Sequence, residues 1–156
     1  MINLKKHVIH KGTIAVNRKA RFNYHILDTV EAGLVLKGSE IKSIRAGKVD
    51  ISAAYARSYN SEFWLIDAHI ASYDPASIFN HDPKRHRKLL LHRDQVITLS
   101  KESDQKGLTI VPLRLYIRNS VAKIELGLAK GKKIFDKRRT IIEREVSRQV
   151  RRSVKR

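Results

Sequence analysis

The most concentrated chemistry in this sequence is a run of cations near its carboxyl end. Residues 130–139 contain six Lys or Arg side chains and one acid, Asp136. Residues 130–156 together hold twelve of the chain's 33 Lys and Arg residues against three acids. Like charges at this density repel one another in a compact free state, and phosphate groups relieve that repulsion. The run therefore predicts a polyanion-binding tail.

Two smaller groups of cations are open to two interpretations. Lys42, Arg45 and Lys48 belong to a predicted helix and its end, where simple solvation of the helix surface is the favoured explanation. Residues 84–88 form a denser basic stretch in a predicted exposed loop, where solvation and phosphate binding are equally good explanations. Both groups are candidate phosphate contacts.

Catalytic and metal chemistry is not indicated. The seven histidines form neither a His-Glu-x-x-His helix nor a pair with an activated nucleophile, and there is no cysteine. Gly127 and Gly131 do not match a dinucleotide-binding fingerprint. We expect no enzyme, no metal, no cofactor and no small-molecule substrate. The lack of cysteine is compatible with a reducing cytoplasm, which is the predicted location.

The overall charge indicates the class of partner. A net charge of +18 in 156 residues favours a polyanion, with nucleic acid as the first candidate and an anionic membrane as the second. The membrane is disfavoured because no apolar run approaches the roughly 18 residues of a spanning helix. The few aromatic residues are explained by core packing, so we expect a structured RNA recognised by shape and backbone rather than stacked single strands.

Two hairpins give the clearest fold signals. Residues 55–59 and 63–71 flank a turn at 60–62, and residues 111–118 and 122–128 flank Asn119-Ser120. Alternation predicts one apolar and one wetter face in each hairpin. In the first hairpin, the residues predicted to face the core are Trp64, Ile66, Ala68 and Ile70. In the second hairpin, the residues predicted to lie on the wetter face are Arg114, Tyr116 and Arg118.

Short helices are expected between the strands. Asn17 is the predicted cap of a helical turn that ends at residue 21. Ser39 is the predicted cap of a helix over 39–46, and Gly47 is predicted to end that helix. A third helix is predicted over 94–106, and a strand over 24–36 with a bulge or bend at Gly33. About six strands with two or three short helices predict a mainly β fold. Our preferred architecture is a small closed β-barrel of the oligonucleotide-binding type.

The chain divides into three predicted segments. Residues 1–12 are a flexible N-terminus, residues 13–129 a barrel that binds RNA, and residues 130–156 a basic C-terminal tail. At helical spacing, an apolar arc of Ile142, Val146, Val150 and Val154 lies opposite a cluster of arginines. An isolated basic helix this short is marginal in water, so we predict a tail that is disordered when free and helical when bound.

Several segments, in order, resemble the family of SsrA-binding proteins, also called small protein B or tmRNA-binding proteins. They are Asn17-Arg18-Lys19-Ala20-Arg21 with Tyr24, Glu31-Ala32-Gly33-Leu34, Gly38-Ser39-Glu40-Ile41-Lys42-Ser43-Ile44-Arg45-Ala46-Gly47-Lys48, Arg87-Lys88-Leu89-Leu90-Leu91-His92, Ala129-Lys130-Gly131-Lys132-Lys133 and Asp136-Lys137-Arg138. The tail departs from the family pattern, which often has lysine at the position of Ile142 and an aromatic residue at that of Val146.

The resemblance implies a bacterial cytoplasmic adaptor, monomeric when bound, that has an oligonucleotide-binding-fold barrel. It implies binding to the tRNA-like domain of tmRNA and delivery of that RNA to ribosomes stalled on messages without a stop codon, with the tail in the empty mRNA channel. The candidate tmRNA-binding residues are Asn17, Lys19, Arg21, Glu31, Lys42, Arg45, Lys48, Arg87, Lys88, Leu91, Lys123, Lys130, Gly131, Lys132 and Lys133. The candidate residues for the ribosomal decoding centre are Asp136, Lys137, Arg138, Arg144 and Arg148.

Two other functions remain open on the residues alone. A ribosomal protein whose basic tail threads permanently through rRNA would have a similar body and charge. An RNA-modifying enzyme is a weaker alternative, since it would need a catalytic constellation that the sequence does not offer.

Overall fold

The computed structural model describes residues 12–105 and 107–153. Apart from Gly12, the predicted flexible N-terminus lies outside the described residues. The strands are β1 (Thr13–Val16), β2 (Tyr24–Leu34), β3 (Val49–Asp50), β4 (Tyr55–Tyr59), β5 (Glu62–Ile66), β6 (His69–Ile70), β7 (Arg87–Leu90), β8 (Leu108–Arg118) and β9 (Val121–Gly131). The helices are α1 (Arg18–Asn23), α2 (Gly38–Arg45), α3 (Arg93–Ser103) and α4 (Ile134–Ser153), and a 3₁₀ helix spans Asp74–Phe79. The predicted mainly β class is confirmed.

Seven strands form one antiparallel sheet. Their order is β1-β8-β4-β5-β7-β2-β9, and β8 also pairs with β9, while β3 and β6 form a separate pair. The β8–β9 hairpin is the longest, paired from Arg118 opposite Val121 to Leu108 opposite Lys130. Asn119 and Ser120 have φ values of 50° and 63°, the left-handed conformation that a tight two-residue hairpin turn requires. The predicted turn at these two residues is confirmed.

Strand β8 is buried on both faces. Residues 110–116 are all buried, including Tyr116 and Arg114, so the predicted wetter face of this strand is wrong for those two. The main core packs on one side of β8, while Ala20 of α1 packs with Val111 and Leu113 in a second cluster. The pairing with β9 is irregular between Pro112 and Arg114, so the alternation assumed over residues 111–118 does not hold along the whole strand.

The predicted core face of residues 63–71 is half wrong. Phe63 and Leu65 are buried in β5, whereas Trp64 and Ile66 are only partly buried on the opposite face. Beyond this strand, Ala68 and Ile70 are buried as predicted. Asp67 has a φ of 55°, which breaks the strand and shifts the alternation by one residue. Trp64 therefore lies on the outside of the sheet.

The basic stretch at 84–88 is not simply an exposed loop. It leads into β7, which pairs with β5 and β2, and Arg87 has no solvent exposure. Leu89 is buried, whereas Leu90 is 52% exposed and Leu91 is partly buried, so the prediction that residues 89–91 form a buried anchor is only partly right.

The helix starts are set by side-chain caps. The Asn17 carboxamide oxygen accepts a hydrogen bond from the Ala20 amide at 2.9 Å, as predicted. Helix α2 begins one residue earlier than expected, and the cap position is Lys37 rather than Ser39. The Glu40 carboxylate accepts from the Lys37 amide at 2.7 Å, so an acid in the first turn replaces the predicted hydroxyl cap.

Other element bounds differ slightly from the sequence expectations. Gly47, with a φ of 73°, follows the end of α2 as predicted. Helix α3 ends at Ser103, before Lys106, which lies outside the described residues. The irregularity in the β2–β9 pairing lies between Ile26 and Asp28, so of the bulge or bend predicted at Gly33 the bulge is wrong and the bend stays a prediction.

The basic segment is shared between a strand and a helix. Strand β9 continues through Gly131, so the boundary predicted at residue 130 falls inside a strand. Helix α4 then covers 20 residues, and none of them is buried. The predicted change from a disordered to a helical tail concerns two states and stays a prediction.

Candidate nucleic-acid interface

Lys132 joins the start of the tail to α1. Its amide donates to the Asn23 carbonyl at 2.9 Å, and its side-chain ammonium donates to the Arg21 carbonyl at 3.1 Å. The neighbouring residues Lys130 and Gly131 pair with β2. The exposed Lys19 and Arg21 side chains of α1 thus lie beside residues 130–133. We call this region, formed by α1 and residues 130–133, the basic junction.

The buried side chain of Asn17 supports the basic junction from inside the fold. Its side chain is 3% exposed, and its amide nitrogen donates to the carbonyls of Ile51 at 3.1 Å and Pro112 at 3.0 Å. Its oxygen caps α1. The predicted direct contact of Asn17 with RNA is therefore wrong, because the side chain is consumed inside the fold. It positions the helix that carries Lys19 and Arg21.

Asp136 lies at the first turn of α4 and faces β2. Its Oδ2 atom accepts from the Lys133 amide at 3.3 Å and lies 3.5 Å from Nε2 of His25. A carboxylate at a helix N-terminus is stabilised by the exposed amides there. This gives the lone acid of the basic run an intramolecular role.

A second contact joins α4 to α1. The Arg144 guanidinium lies 5.5 Å from the centre of the Phe22 ring, within cation–π range. Lys137 is partly buried at the base of the helix, whereas Arg138 and Arg148 are exposed along it. The predicted decoding-centre residues are therefore split between the base of α4 and its free surface.

Glu31, Tyr116 and Lys123 form a second polar group on the sheet. The Tyr116 hydroxyl donates to Glu31, and Nζ of Lys123 lies 3.4 Å from the other carboxylate oxygen. The hydrogen bond from Tyr116 is the main cause that lowers the pKa of Glu31, and Lys123 adds to it against the opposing effect of burial. Burial and the same hydrogen bond raise the pKa of Tyr116. Glu31 is thus held ionised, with Lys123 fixed beside it.

Leu91 lies near this polar group. Lys123 is opposite Gly33 of β2, and Gly33 is opposite Leu90 at the end of β7. Leu91 follows directly and packs partly against the core. The structure therefore places Glu31 and Lys123 on adjoining strands and Leu91 directly after the end of β7, although the three are distant in sequence.

The cations of α2 are exposed and make weak contacts. Nζ of Lys42 lies 5.4 Å from the centre of the Tyr73 ring, and Nζ of Lys48 lies 3.6 Å from Asp74. Arg45 is also exposed. All three remain accessible to a phosphate.

Arg87 belongs to a buried ion pair. Its Nε atom donates to Glu40 at 2.8 Å, and its other nitrogens donate to the carbonyls of Ala68 at 2.7 Å and Pro83 at 3.0 Å. Arg85 also donates to the Glu40 carboxylate at 2.5 Å. The predicted RNA contact of Arg87 is wrong, because the guanidinium is needed to neutralise a buried acid.

The protonation of Glu40 follows from these partners. Burial by itself raises the pKa of the Glu40 carboxyl, but the hydrogen bonds from Arg85 and the Lys37 amide and the charge of Arg87 hold it below its ordinary value. Lys88, which follows Arg87 but faces outward, pairs with Glu62 and keeps 37% of its side chain exposed.

Residues 12–105 and 107–153 contain no group of three or more His, Asp or Glu side chains arranged to hold a metal ion. Within the same ranges, no helix combines the length and the apolar character that crossing a membrane needs.

The relationship to known proteins agrees with this geometry. The family profile described as "SmpB protein" matches residues 14–156. The chain belongs to the SmpB family. This confirms the resemblance seen in the sequence, since small protein B is another name for the SsrA-binding protein.

Similar SmpB family members occur in several bacteria. An SsrA-binding protein of Ligilactobacillus salivarius is 51% identical over 144 residues, covering 92% of this chain and 93% of the relative. One from Enterococcus faecalis is 53% identical over 142 residues, covering 91% and 92%. A solved structure described as "tmRNA-SmpB: a journey to the center of the bacterial ribosome" contains a similar chain, with 48% identity and a TM-score of 0.67. That match covers 80% of this chain and 87% of the solved one.

Sequence reasoning missed two residues at the centre of this SmpB-family site. His25 and Phe22 connect β2 and α1 to α4, yet neither belongs to a recognisable motif. His25 lies opposite Lys130 in the β2–β9 ladder, so only the strand register could have found it.

Proposed function

We propose that this protein is an RNA-binding adaptor that binds the tRNA-like domain of tmRNA and delivers it to stalled bacterial ribosomes. Membership of the SmpB family supports this, as do relatives named SsrA-binding proteins and the similarity to a chain of a tmRNA-SmpB structure. The observation that carries the proposal is the basic junction. There Lys132 holds residues 130–133 against α1, so that cations from distant segments form one phosphate-binding surface.

The proposed tmRNA surface combines the basic junction with the polar group on the sheet. Lys19, Arg21 and residues 130–133 supply phosphate contacts. Glu31, Lys123 and Leu91 contribute a fixed polar and apolar surface that can recognise RNA shape. Further phosphate contacts are assigned to Lys42, Arg45, Lys48 and Lys88.

The proposed ribosomal surface is α4. Asp136 and Lys137 lie at its base, and the exposed cations Arg138, Arg144 and Arg148 follow along it. This arrangement supports binding of the helix to rRNA in the decoding centre, as a second step after tmRNA binding. We also propose that the tail becomes helical on binding. Circular dichroism of a peptide of residues 130–156 tests this, and a spectrum unchanged by RNA would contradict it.

The proposed body is a closed barrel of the oligonucleotide-binding type. The pairings run from β8 through β4, β5, β7, β2 and β9, and the β8–β9 pairing returns them to β8, which supports closure. We further propose that the protein acts as a non-enzymatic monomer in the cytoplasm, where its RNA and ribosomes would be found.

Sequencing the RNA that co-purifies with the protein tests the proposal. We expect one structured non-ribosomal RNA, tmRNA, and loss of the protein from ribosomes in a high-salt wash. The alternative, a ribosomal protein with a tail threaded through rRNA, predicts recovery of rRNA and retention after the same wash. Retention would overturn the adaptor proposal.

A further inference from the structure

The outer face of β4, β5 and β7 carries a group of side chains centred on Trp64. Trp64 is opposite Arg57 of β4 and opposite Lys88 of β7. Directly opposed residues of antiparallel strands project from the same face of the sheet. An indole ring therefore lies between two cationic side chains on the outside of the molecule.

This face contains a cavity of about 540 Å³. Its lining consists of Arg57, Ser58, Tyr59, Trp64, Ile66 and His86. Tyr59 is 68% exposed, although a tyrosine on a sheet usually buries its ring against neighbours. The conformation of Asp67 shifts Trp64 and Ile66 to this face, and the core is filled by Phe63 and Leu65 instead. Core packing does not account for these exposed aromatic rings.

Two polar groups of the cavity have no partner in the described chain. The indole N–H of Trp64 is buried and makes no hydrogen bond, which is uncommon for a buried donor. Arg57 is exposed and has no hydrogen bond or ion pair with any described residue. Lys88, by contrast, is neutralised by Glu62. The cavity thus presents aromatic surface and one uncompensated cation, with an unused donor buried beneath its surface.

We propose that this cavity binds one unstacked nucleotide of an RNA. The base lies against the rings of Trp64 and Tyr59, and the adjoining phosphate binds Arg57. Every base has a π-face, so such stacking tolerates any sequence, and a cation beside the rings suits the phosphate. The inference rests on the proposed function only in taking RNA as the ligand.

The charge of the molecule favours a nucleotide over a peptide in this cavity. An aromatic peptide side chain could use the rings, but it would leave Arg57 uncompensated. A net charge of +18 concentrates polyanions near the surface. The cavity would add a stacking contact to an interface that is otherwise based on phosphate.

The fluorescence of the full-length protein tests this binding directly, because Trp64 is its single tryptophan. The protein is titrated with a short single-stranded oligoribonucleotide and, in a separate experiment, with an abasic oligonucleotide of the same length and charge. We expect the first to quench Trp64 and the second to bind the basic tail with little effect on the emission. Equal quenching by both, or none by either, would overturn the proposal.

Matched variants test whether the oligonucleotide binds in this cavity. Tyr59→Ala should raise the oligonucleotide concentration for half-maximal quenching roughly fivefold or more, since each stacked base contributes substantially to affinity. Arg57→Gln should weaken quenching in the same direction and reduce its salt dependence. Tyr55→Ala and Arg93→Gln are the controls, because both side chains are exposed and neither lines the cavity.

The outcomes separate this inference from the proposed function. Equal effects of Tyr59→Ala and Tyr55→Ala would refute the cavity while leaving tmRNA co-purification intact. Failure of tmRNA to co-purify would refute the adaptor function, whatever Trp64 reports. Quenching by an aromatic peptide but not by the oligonucleotide would identify a protein ligand and contradict the inference.

Discussion

Glu40 is the residue on which the packing of α2 against β7 depends. Its carboxylate has no solvent exposure and binds Arg87, Arg85 and the amide of Lys37. An acid enclosed in this way is tolerated only when its charge is fully paired. The ion pair therefore fixes the positions of α2 and β7 relative to each other.

Glu40→Gln should destabilise the fold by about 3–5 kcal/mol, because it leaves the Arg87 charge buried and unpaired. Urea unfolding at neutral pH measures this. Glu62→Gln is the matched control: it breaks a partly exposed pair with Lys88, and about 0–1 kcal/mol is expected. A Glu40→Gln variant as stable as the control would refute the role of the pair.

The pH dependence of stability follows from the lowered pKa of Glu40. Its carboxyl has an ordinary pKa of 4.5 and a lower one in the folded protein, so the unfolded chain binds the proton more readily. The contribution to stability is complete above pH 4.5 and is lost as the pH falls through the folded pKa. Urea unfolding at several pH values should show that Glu40→Gln loses less stability toward acid pH than the unsubstituted protein. An equal loss would mean that other carboxyls cause the acid destabilisation.

Tyr116→Phe should raise the pKa of Glu31 toward its ordinary value of 4.5. The Tyr116 hydroxyl is the main cause of the lowering, and the substitution removes it without removing the ring. Carboxyl chemical shifts measured by NMR through an acid titration report the change. Tyr24→Phe is the control, because it removes a hydroxyl elsewhere and should leave the pKa of Glu31 unchanged.

At the residue scale, charge density identifies basic segments in the sequence, and the roles of their side chains stay predictions. The basic segment around Lys130 was found in this way. Asn17 was a candidate RNA contact because it lies in a segment that resembles the family, and Arg87 because it lies in the basic stretch at 84–88. Their actual partners, such as the Pro112 carbonyl and Glu40, lie far away in sequence and become visible only in the fold.

At the scale of elements, the base of α4 is held by contacts to two other elements. Asp136 accepts from the Lys133 amide and lies near His25 of β2, and Arg144 lies over Phe22 of α1. An exposed helix without buried residues gains little from packing, so these few contacts and its own capping determine its stability.

Asp136→Asn should weaken α4 by roughly 0.3–1 kcal/mol, because it removes the negative charge from the helix N-terminus. Far-UV circular dichroism of the full chain during heating should show earlier loss of helical signal. Glu145→Gln, which removes an exposed carboxylate far from that end, serves as the control. Identical melting of both variants would mean that Asp136 does not cap the helix.

The elements themselves were largely predictable, and their faces were less so. Turn chemistry at Asn119-Ser120 and at Gly47 located a hairpin and a helix end correctly. Alternation failed in β5 because Asp67 shifts the register, and in β8 because the pairing with β9 is irregular between Pro112 and Arg114. A pattern of period two assumes one unbroken strand with one wet face, and neither assumption held there.

At the scale of the whole molecule, binding to RNA should depend steeply on salt. Contacts to six to ten phosphates would lower affinity by roughly 10³–10⁵ between about 50 and 200 mM salt. Filter binding or anisotropy with tmRNA at several salt concentrations measures the slope. A nearly flat profile would contradict the electrostatic interface.

Truncation after Lys133 should separate the two proposed surfaces. It removes α4 but keeps the hydrogen bonds of Lys132 to α1, so most tmRNA affinity should remain while tagging on stalled ribosomes is lost. A tmRNA binding assay and a tagging assay on the same variant provide the two readouts. Parallel loss of both activities would contradict the division between junction and helix.

The anchoring of α4 at its first turn also has a mechanical consequence. At 1.5 Å per residue, a helix of 20 residues is about 30 Å long, and its base is tied near His25 and Lys133. A lever of that length turns a pivot of about 20° at its base into a sweep of roughly 10 Å at its tip. A small change of angle at the basic junction would thereby be magnified at the far end of α4, which belongs to the proposed ribosomal surface.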